Sequence, residues 1–327
     1  MSAFFRLIRI QNLFFIALIQ YLMSKVVLLP ILQAYGFEST NENMLILLIL
    51  ASVFIAAAGY MLNDYFDVKI DVINKPERQI VGKNFSRHSV MLMHQILTGI
   101  GVLCGLLLAY FARSMTLAFI FIVVPGLLWF YSASYKRQFL IGNLVVAFVA
   151  ALSILIVGIS QLAFLSKTYG DLIYQTPIPG EIYGWIGCFA IFAFITTLIR
   201  EIIKDIQDEK GDREMECRTI VIKLGVKNTK LILYFLILLT ISLLLLFNHF
   251  FINFEGTLSV RYILFGLVLP LIILGYFIFT AKNSVDYKNA SNLSKVIMLI
   301  GVLYSFIFYF LQAKTYGISL FDLFIVK

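Results

Sequence analysis

Two short acidic segments stand out in a chain whose residues are mostly apolar. They read NDYFDVKID and DIQDEKGD, and both have the spacing DxxDxxxD. The carboxylates are Asp64, Asp67 and Asp71 in the first segment and Asp205, Asp208 and Asp212 in the second. On a helix these positions share one face, so each segment predicts a stripe of carboxylates. Two facing sets of oxygen ligands suit Mg²⁺, which completes its shell with water and phosphate oxygens.

The elements that must position these segments are membrane helices. The 327 residues are 61% hydrophobic and 13% charged, whereas a soluble domain is about 25% charged. Apolar runs of about 18 or more residues predict transmembrane helices. Nine such runs are present, at residues 13–34, 43–62, 91–112, 115–135, 142–165, 182–200, 231–252, 261–281 and 293–312. We therefore expect an all-α, multi-pass integral membrane protein that forms a single domain over residues 1–327.

The distribution of basic residues predicts the orientation. If the N-terminus is cytoplasmic, 20 of the 26 lysines and arginines lie on the cytoplasmic side and 5 on the other. The positive-inside rule then places the C-terminus outside and both acidic segments at the cytoplasmic face. Each segment is expected to close one helix, the second or the sixth, and to open the loop that follows. The expected location is the plasma (inner) membrane of a prokaryote.

The remaining composition narrows the class of protein. The net charge of +8 is explained by topology and by attraction to anionic lipid, and no nucleic-acid partner is expected. Three separate cysteines and three isolated histidines predict neither a disulfide framework nor a zinc site. A charge-balanced loop would explain one acidic segment but not two with identical spacing. A cation transporter is the alternative from another class of protein, although an ion path across the membrane needs ionisable groups near the membrane midplane.

The motifs resemble those of the UbiA superfamily of membrane prenyltransferases. NDxxDxxxD matches Asn63–Asp71, and the second motif, DxxxD, matches Asp208 and Asp212. The segments INKPERQIVGKNFS, YSASYKRQFLIGN and REIIKDIQDEKGDREMECRTI are most similar to the geranylgeranylglycerol-phosphate geranylgeranyltransferase branch. Gln79 stands where that family usually has proline, and VGKN at 81–84 replaces its usual Ser-Gly turn. These departures leave the acceptor open between a lipid phosphate and the aromatic acceptors of quinone, chlorophyll or tocopherol synthesis.

The resemblance implies loss of diphosphate from an allylic donor and transfer of the prenyl group to a lipophilic acceptor. Two or more Mg²⁺ ions, or Mn²⁺, would stabilise the leaving group. The implied metal ligands are Asn63, Asp67, Asp71, Asp205, Asp208 and Asp212. The implied catalytic residues are Asp64, Asp67, Asp71, Asp208, Asp212, Tyr131 and Tyr135. The implied substrate-binding residues are Arg9, Asn12, Lys75, Arg78, Lys136, Asn143, Arg200 and Lys204.

Overall fold

The protein is a bundle of long helices. The computed structural model describes residues 2–37, 41–74, 79–252, 254, 256–321 and 324–325. The α-helices are α1 (Ser2–Leu7), α2 (Ile10–Leu22), α3 (Leu29–Ala34), α4 (Glu42–Asn74), α5 (Arg87–Ala112), α6 (Met115–Ala133), α7 (Ile141–Tyr169), α8 (Ile178–Gln207), α9 (Glu209–Glu214), α10 (Ile220–Phe251), α11 (Leu258–Arg261), α12 (Leu269–Thr280) and α13 (Ser284–Tyr316). Two short strands, β1 (Ser319–Leu320) and β2 (Phe324–Ile325), pair antiparallel.

Short segments of other helix types join some of these elements. π-helical turns at Met23–Leu28 and Tyr262–Val268 join α2 to α3 and α11 to α12. Tyr135–Arg137 and Gly170–Gln175 are 3₁₀ helices that precede and follow α7. The joined segments remain long enough to cross a bilayer, because an α-helix advances about 1.5 Å per residue.

The predicted membrane spans are confirmed. Within the described ranges, nine helices are long and apolar enough to cross a membrane. They are Ile10–Ala34, Glu42–Val68, Arg87–Ala112, Met115–Ala133, Ile141–Gln175, Ile178–Gln207, Ile220–Phe251, Leu258–Thr280 and Ser284–Tyr316. Each overlaps one predicted run. Many large apolar side chains on their outer faces are exposed, as expected for helices surrounded by lipid.

The first acidic segment does not open a loop, contrary to the expectation. Helix α4 continues to Asn74, so Asn63, Asp64, Asp67 and Asp71 are all helical. Hydropathy falls where the chain leaves the apolar layer, but charged residues do not by themselves end a helix. The end of the bundle at which α4 and α8 finish is called the motif end below.

The second acidic segment is not one uninterrupted helical stripe either. Helix α8 ends at Gln207, Asp208 lies at the junction, and α9 carries Asp212. The amides of Asp208 and Asp212 still bond to carbonyls four residues earlier. The backbone hydrogen bonding therefore continues across the break, and the segment retains its helical spacing.

Helix α8 is the centre of one half of the bundle, where it packs against α7, α10 and α13. Helix α4 packs chiefly against α5, and also against α2 and α6. At the motif end, a small apolar cluster that includes Leu7, Met61 and Val81 joins α1, α4 and the turn before α5. This cluster fixes the position of the α1–α2 junction against the acidic end of α4.

Candidate active site

Five segments of the chain meet at the motif end. They are the α1–α2 junction, the last turns of α4, the segment from the end of α6 to the start of α7, the end of α8, and α9. Helix α9 packs against α4, so the second acidic segment lies beside the first. This arrangement was the main structural expectation from the repeated spacing.

Asp67 and Lys136 form the most enclosed ion pair of the site. Lys136 Nζ lies 2.5 Å from Asp67 Oδ1, and the two side chains are only 11% and 16% exposed. Asn63 Nδ2 donates to Asp67 Oδ2 at 2.8 Å, and Lys136 also reaches Asn63 Oδ1 at 3.4 Å. Helix α4 and the Tyr135–Arg137 turn are thus joined by a charged contact, which is strengthened by its partial exclusion from water.

Arg9 holds the neighbouring carboxylate. Its Nη2 atom donates to Asp64 Oδ1 at 2.8 Å, and its guanidinium lies 4.8 Å from the centre of the Tyr60 ring. Asn12 Nδ2 donates to the hydroxyl of the same tyrosine at 3.3 Å. Burial lowers the pKa of Arg9, but the charge of Asp64, the hydrogen bond to Asp64 and the effects of Tyr60 and Tyr131 together outweigh it and leave that pKa raised. Arg9 has a φ of 51° at the start of α2, in a region that non-glycine residues rarely adopt.

A glycine allows the Tyr135–Arg137 turn, called the Lys136 turn below, to pack closely on α7. A Cβ atom at Gly142 would lie 2.6 Å from Lys136 Cα and 3.0 Å from the carbonyl oxygen of Tyr135. The next residue, Asn143, is buried and donates from Nδ2 to Asp205 Oδ2 at 2.9 Å. The start of α7 therefore contacts a residue of the second motif and supports a cation that binds the first.

Arg200 and Lys204 share a carboxylate one to two turns before Asp205. Glu201 accepts from Arg200 Nη1 at 2.9 Å and from Lys204 Nζ at 2.7 and 3.0 Å. The Glu201 side chain is 13% exposed. Two cations therefore share Glu201, and the charge of Lys204 also acts on the adjacent carboxylate of Asp205. The Nε atom of Arg200 is buried and has no hydrogen-bond partner in the described structure.

The two predicted tyrosines, Tyr131 and Tyr135, have different surroundings. Tyr131, near the end of α6, is enclosed and experiences the charges of Glu201, Asp67, Arg9 and Asp205. Tyr131 is therefore within electrostatic reach of carboxylates on both α4 and α8. The ring of Tyr135 instead stacks on Phe130, with centroids 6.0 Å apart. Phe130 is exposed on the outer surface, so Tyr135 resembles an interfacial aromatic residue.

The other predicted residues are only partly described. Asp212 is buried in α9, and its charge acts on both Asp205 and Cys217. Asp208 lies at the α8–α9 junction. The backbone of Asp71 is helical, but its side chain, together with Lys75 and Arg78, lies outside the described residues.

The site has the donors that Mg²⁺ prefers, but its carboxylates are not gathered around one point. Among the described side chains, no three His, Cys, Asp or Glu residues lie close enough together to hold a metal ion. The surroundings of Asp205 test whether these residues fit a divalent ion. Asp205 is largely enclosed, its described hydrogen bond comes from the neutral Asn143, and the charges of Asp212 and Glu201 repel it more than the charge of Lys204 attracts it. A carboxylate in such surroundings favours a nearby cation, so the residues fit a divalent ion.

Two residues of the site were not among the predicted binding residues. Tyr60 contacts both Arg9 and Asn12. Its position four residues before Asp64 is the helical spacing that could have revealed it. Glu201 is the second of these residues, and no role is predicted for it from the sequence. Its position between Arg200 and Lys204 in the sequence was the available signal.

Within the described residues, acidic and basic side chains meet at one end of a bundle with nine candidate membrane spans, an arrangement that suits an integral membrane enzyme acting on phosphorylated substrates. The model of the UbiA prenyltransferase family matches residues 25–317, and the chain belongs to that family. The protein is therefore a prenyltransferase. Family membership decides against the cation transporter as the alternative class.

Several relatives share the name digeranylgeranylglyceryl phosphate synthase. The protein of that name from Sulfurisphaera tokodaii is 30% identical over 273 residues, which cover 84% of this chain and 87% of the relative. The one from Methanobrevibacter smithii is 31% identical over 268 residues, with coverages of 80% and 84%. The resemblance to this branch of the family is thus supported across most of both chains.

Solved structures show the same fold. One described as a digeranylgeranylglyceryl phosphate synthase has a TM-score of 0.63 at 19% identity and covers 93% of this chain and 98% of its own. A UbiA homologue from Aeropyrum pernix K1 has a TM-score of 0.64 at 15% identity, with coverages of 88% and 97%. A UbiA homologue from Archaeoglobus fulgidus bound to GPP and Mg²⁺ has a TM-score of 0.53 at 14% identity, with coverages of 93% and 99%.

Proposed function

We propose that this prenyltransferase moves a geranylgeranyl group from geranylgeranyl diphosphate to the hydroxyl of geranylgeranylglyceryl phosphate, as a step of ether-lipid synthesis. The relatives named digeranylgeranylglyceryl phosphate synthase support this acceptor. The observation that carries the chemistry is the meeting of α4 and the α8–α9 segment, with Tyr131 within electrostatic reach of both sets of carboxylates. The proposed location is a prokaryotic plasma membrane, with the motif end facing the cytoplasm.

The proposed reaction exchanges one carbon–oxygen bond for another. The acceptor hydroxyl oxygen bonds to C1 of the allylic group while the bond from C1 to the diphosphate oxygen breaks. The electron pair of the broken bond leaves with the diphosphate, and the hydroxyl proton passes to a carboxylate or phosphate oxygen of the site. Negative charge grows on the leaving group, so prearranged cations lower the barrier.

Different residues of the chain would perform different parts of this reaction. Lys136 and Arg9 already lie beside the α4 carboxylates and would bind phosphate oxygens. Asn63, Asp67, Asp205, Asp208 and Asp212, together with Asp71, would hold Mg²⁺, which when bound supplies Lewis-acid neutralisation of the diphosphate. Tyr131, which experiences the charges of both sets, would present its ring to developing positive charge and help exclude water.

The test is a reconstitution with a panel of acceptors. The full chain in nanodiscs receives geranylgeranyl diphosphate, Mg²⁺ and one of geranylgeranylglyceryl phosphate, 4-hydroxybenzoate or dihydroxynaphthoate. We expect a prenylated product only with the lipid phosphate, detected by mass spectrometry and abolished by EDTA. Asp67→Asn should lower kcat/KM about 100-fold or more. Glu214→Gln, an exposed acid in α9, is the matched control and should retain activity. A prenylated aromatic product would establish the alternative acceptor class instead.

A further inference from the structure

We propose that Tyr60 is a positioning residue, whose ring holds the guanidinium of Arg9 where that cation binds the donor diphosphate, and that Asn12 acts by holding Tyr60. This inference rests on the proposed function and assigns the tasks of two residues at the same site. Asn12 then contacts a protein side chain and not the substrate, in contrast to the substrate-binding role that the family resemblance implies for it.

The backbone of Arg9 has a conformation that a residue with a Cβ atom adopts at a cost. Its φ of 51° and ψ of 56° lie in the left-handed region, and such a conformation persists only where the surrounding structure holds it. The contacts of the side chain supply that support. Arg9 Nη2 donates to Asp64 Oδ1 at 2.8 Å, and the guanidinium lies 4.8 Å from the centre of the Tyr60 ring. The turn between α1 and α2 therefore places a cation against α4.

Tyr60 receives two contacts from the beginning of α2. The guanidinium of Arg9 lies over its ring, and Asn12 Nδ2 donates to its hydroxyl at 3.3 Å. Arg9 and Asn12 are themselves joined, because the Asn12 amide donates to the Arg9 carbonyl at 2.8 Å. An aromatic face attracts a cation, and the hydrogen bond from Asn12 restricts movement of the ring. Tyr60 is thus a surface on α4 against which the Arg9 cation rests.

Arg9 can bind a phosphate oxygen without leaving the Tyr60 ring. Its side chain is 40% exposed, and in the described structure Asp64 accepts from only one of its nitrogen atoms. The charge of Arg9 also acts on three residues of α6 and α8, which are Tyr131, Glu201 and Lys204. When a diphosphate competes with Asp64 for the guanidinium, the contact with Tyr60 can remain, because a ring attracts the cation as a whole whereas a phosphate accepts from its N–H groups.

The first test measures binding of the diphosphate itself. The full chain in nanodiscs with Mg²⁺ is titrated with pyrophosphate by calorimetry, and both KM values are measured with geranylgeranyl diphosphate and geranylgeranylglyceryl phosphate. Tyr60→Leu removes the ring and should raise the pyrophosphate Kd and the donor KM about 10-fold, with the acceptor KM changed less than about 3-fold. Tyr60→Phe keeps the ring and should recover most of the binding. An unchanged pyrophosphate Kd in Tyr60→Leu would overturn the inference.

A double-mutant cycle tests the role of Asn12. If Asn12 acts through the Tyr60 hydroxyl, Asn12→Ala and Tyr60→Phe remove the same hydrogen bond. Each should then raise the pyrophosphate Kd about 2- to 5-fold, and the double substitution should raise it no further. Additive effects of the two substitutions would show that Asn12 binds the substrate directly, and the role proposed for Asn12 would be wrong.

Tyr65→Leu is the matched control, because Tyr65 is on the same helix and its ring lies 5.0 Å from another guanidinium, that of Arg87. This substitution should leave the pyrophosphate Kd and the donor KM unchanged, and an equal rise in both variants would contradict a specific role for Tyr60. A Tyr60→Leu protein with a lower melting temperature but unaltered constants would show a purely structural role, against the inference. If wild-type protein binds pyrophosphate but prenylates no acceptor, the proposed function fails, while the pyrophosphate Kd of the variants still decides the role of Tyr60.

Discussion

Adding one methyl group at Gly142 should disable the site without touching any charged residue. A Cβ atom there would lie 2.6 Å from Lys136 Cα, and an ordinary carbon–carbon contact is about 3.5 Å. The Lys136 turn must therefore move by about 0.9 Å, or the start of α7 must shift instead. Either movement disturbs a cation whose Nζ atom lies between Asp67 and Asn63.

The size of the effect follows from this displacement. A misplacement of about 1 Å at a reacting site can cost about 100-fold in rate, and overpacking costs about 1–3 kcal/mol. We expect Gly142→Ala to lower kcat/KM about 10- to 100-fold, measured with geranylgeranyl diphosphate and the acceptor that the wild-type protein uses. The melting temperature, followed by intrinsic fluorescence in nanodiscs, should fall only slightly.

Gly99→Ala is the matched control, because Gly99 is also helical and a Cβ atom there would meet nothing within 4 Å. That substitution should leave kcat/KM unchanged and favour the helix by up to about 1 kcal/mol. Wild-type activity in Gly142→Ala would refute the argument, since it would show that the contact with α7 does not position Lys136. Equal losses in both variants would show that the change acts through the membrane helices in general.

Two further predictions concern reactivity and stability. Burial, with the nearby charge of Asp212, raises the pKa of the Cys217 thiol, so less thiolate is present at a given pH than for a free cysteine. In a Cys104→Ser, Cys188→Ser background, alkylation by iodoacetamide should accelerate only above the ordinary thiol range, near pH 8.5; a midpoint at or below that value would contradict the assigned surroundings. Gln20 links three spans, since its Nε2 atom donates to Ser52 Oγ at 2.8 Å and to the Ser153 carbonyl at 3.1 Å. The buried Oε1 atom of Gln20 has no described partner, so Gln20→Leu should lower the free energy of unfolding by only about 1 kcal/mol, as measured by thermal unfolding. A loss above about 3 kcal/mol would show that these hydrogen bonds stabilise the fold more than we expect.

The membrane spans were predictable because lipid contact imposes a simple rule on composition. Each span needs about 20 apolar residues, and all nine runs correspond to helices in the described ranges. The ends of α4 and α8 were not predictable in the same way. Hydropathy reports where the chain leaves the apolar layer, while hydrogen bonding decides where the helix stops. This is why α4 continues to Asn74.

The types of residue in the site were predictable, but their pairing was not. Repeated acidic spacing identified both carboxylate sets without any structure. The partners of Asp64 and Asp67, however, come from positions 55 and 69 residues away in sequence. No local pattern encodes which cation approaches which carboxylate, because packing of α1, α6 and α7 around α4 determines it. The Gly142–Asn143 pair was visible as a motif, yet its role as a close contact became clear only in three dimensions.

The observed pairing also constrains how substrates would enter under the proposed function. Asp67 is already satisfied by Lys136, so a divalent ion can take this carboxylate only if the lysine finds another anion. Breaking such a partly enclosed pair without a replacement is costly. A diphosphate that arrives with the ion supplies that replacement, because Lys136 can turn from the carboxylate to a phosphate oxygen. Ion and donor would then bind as a unit on the α4 side.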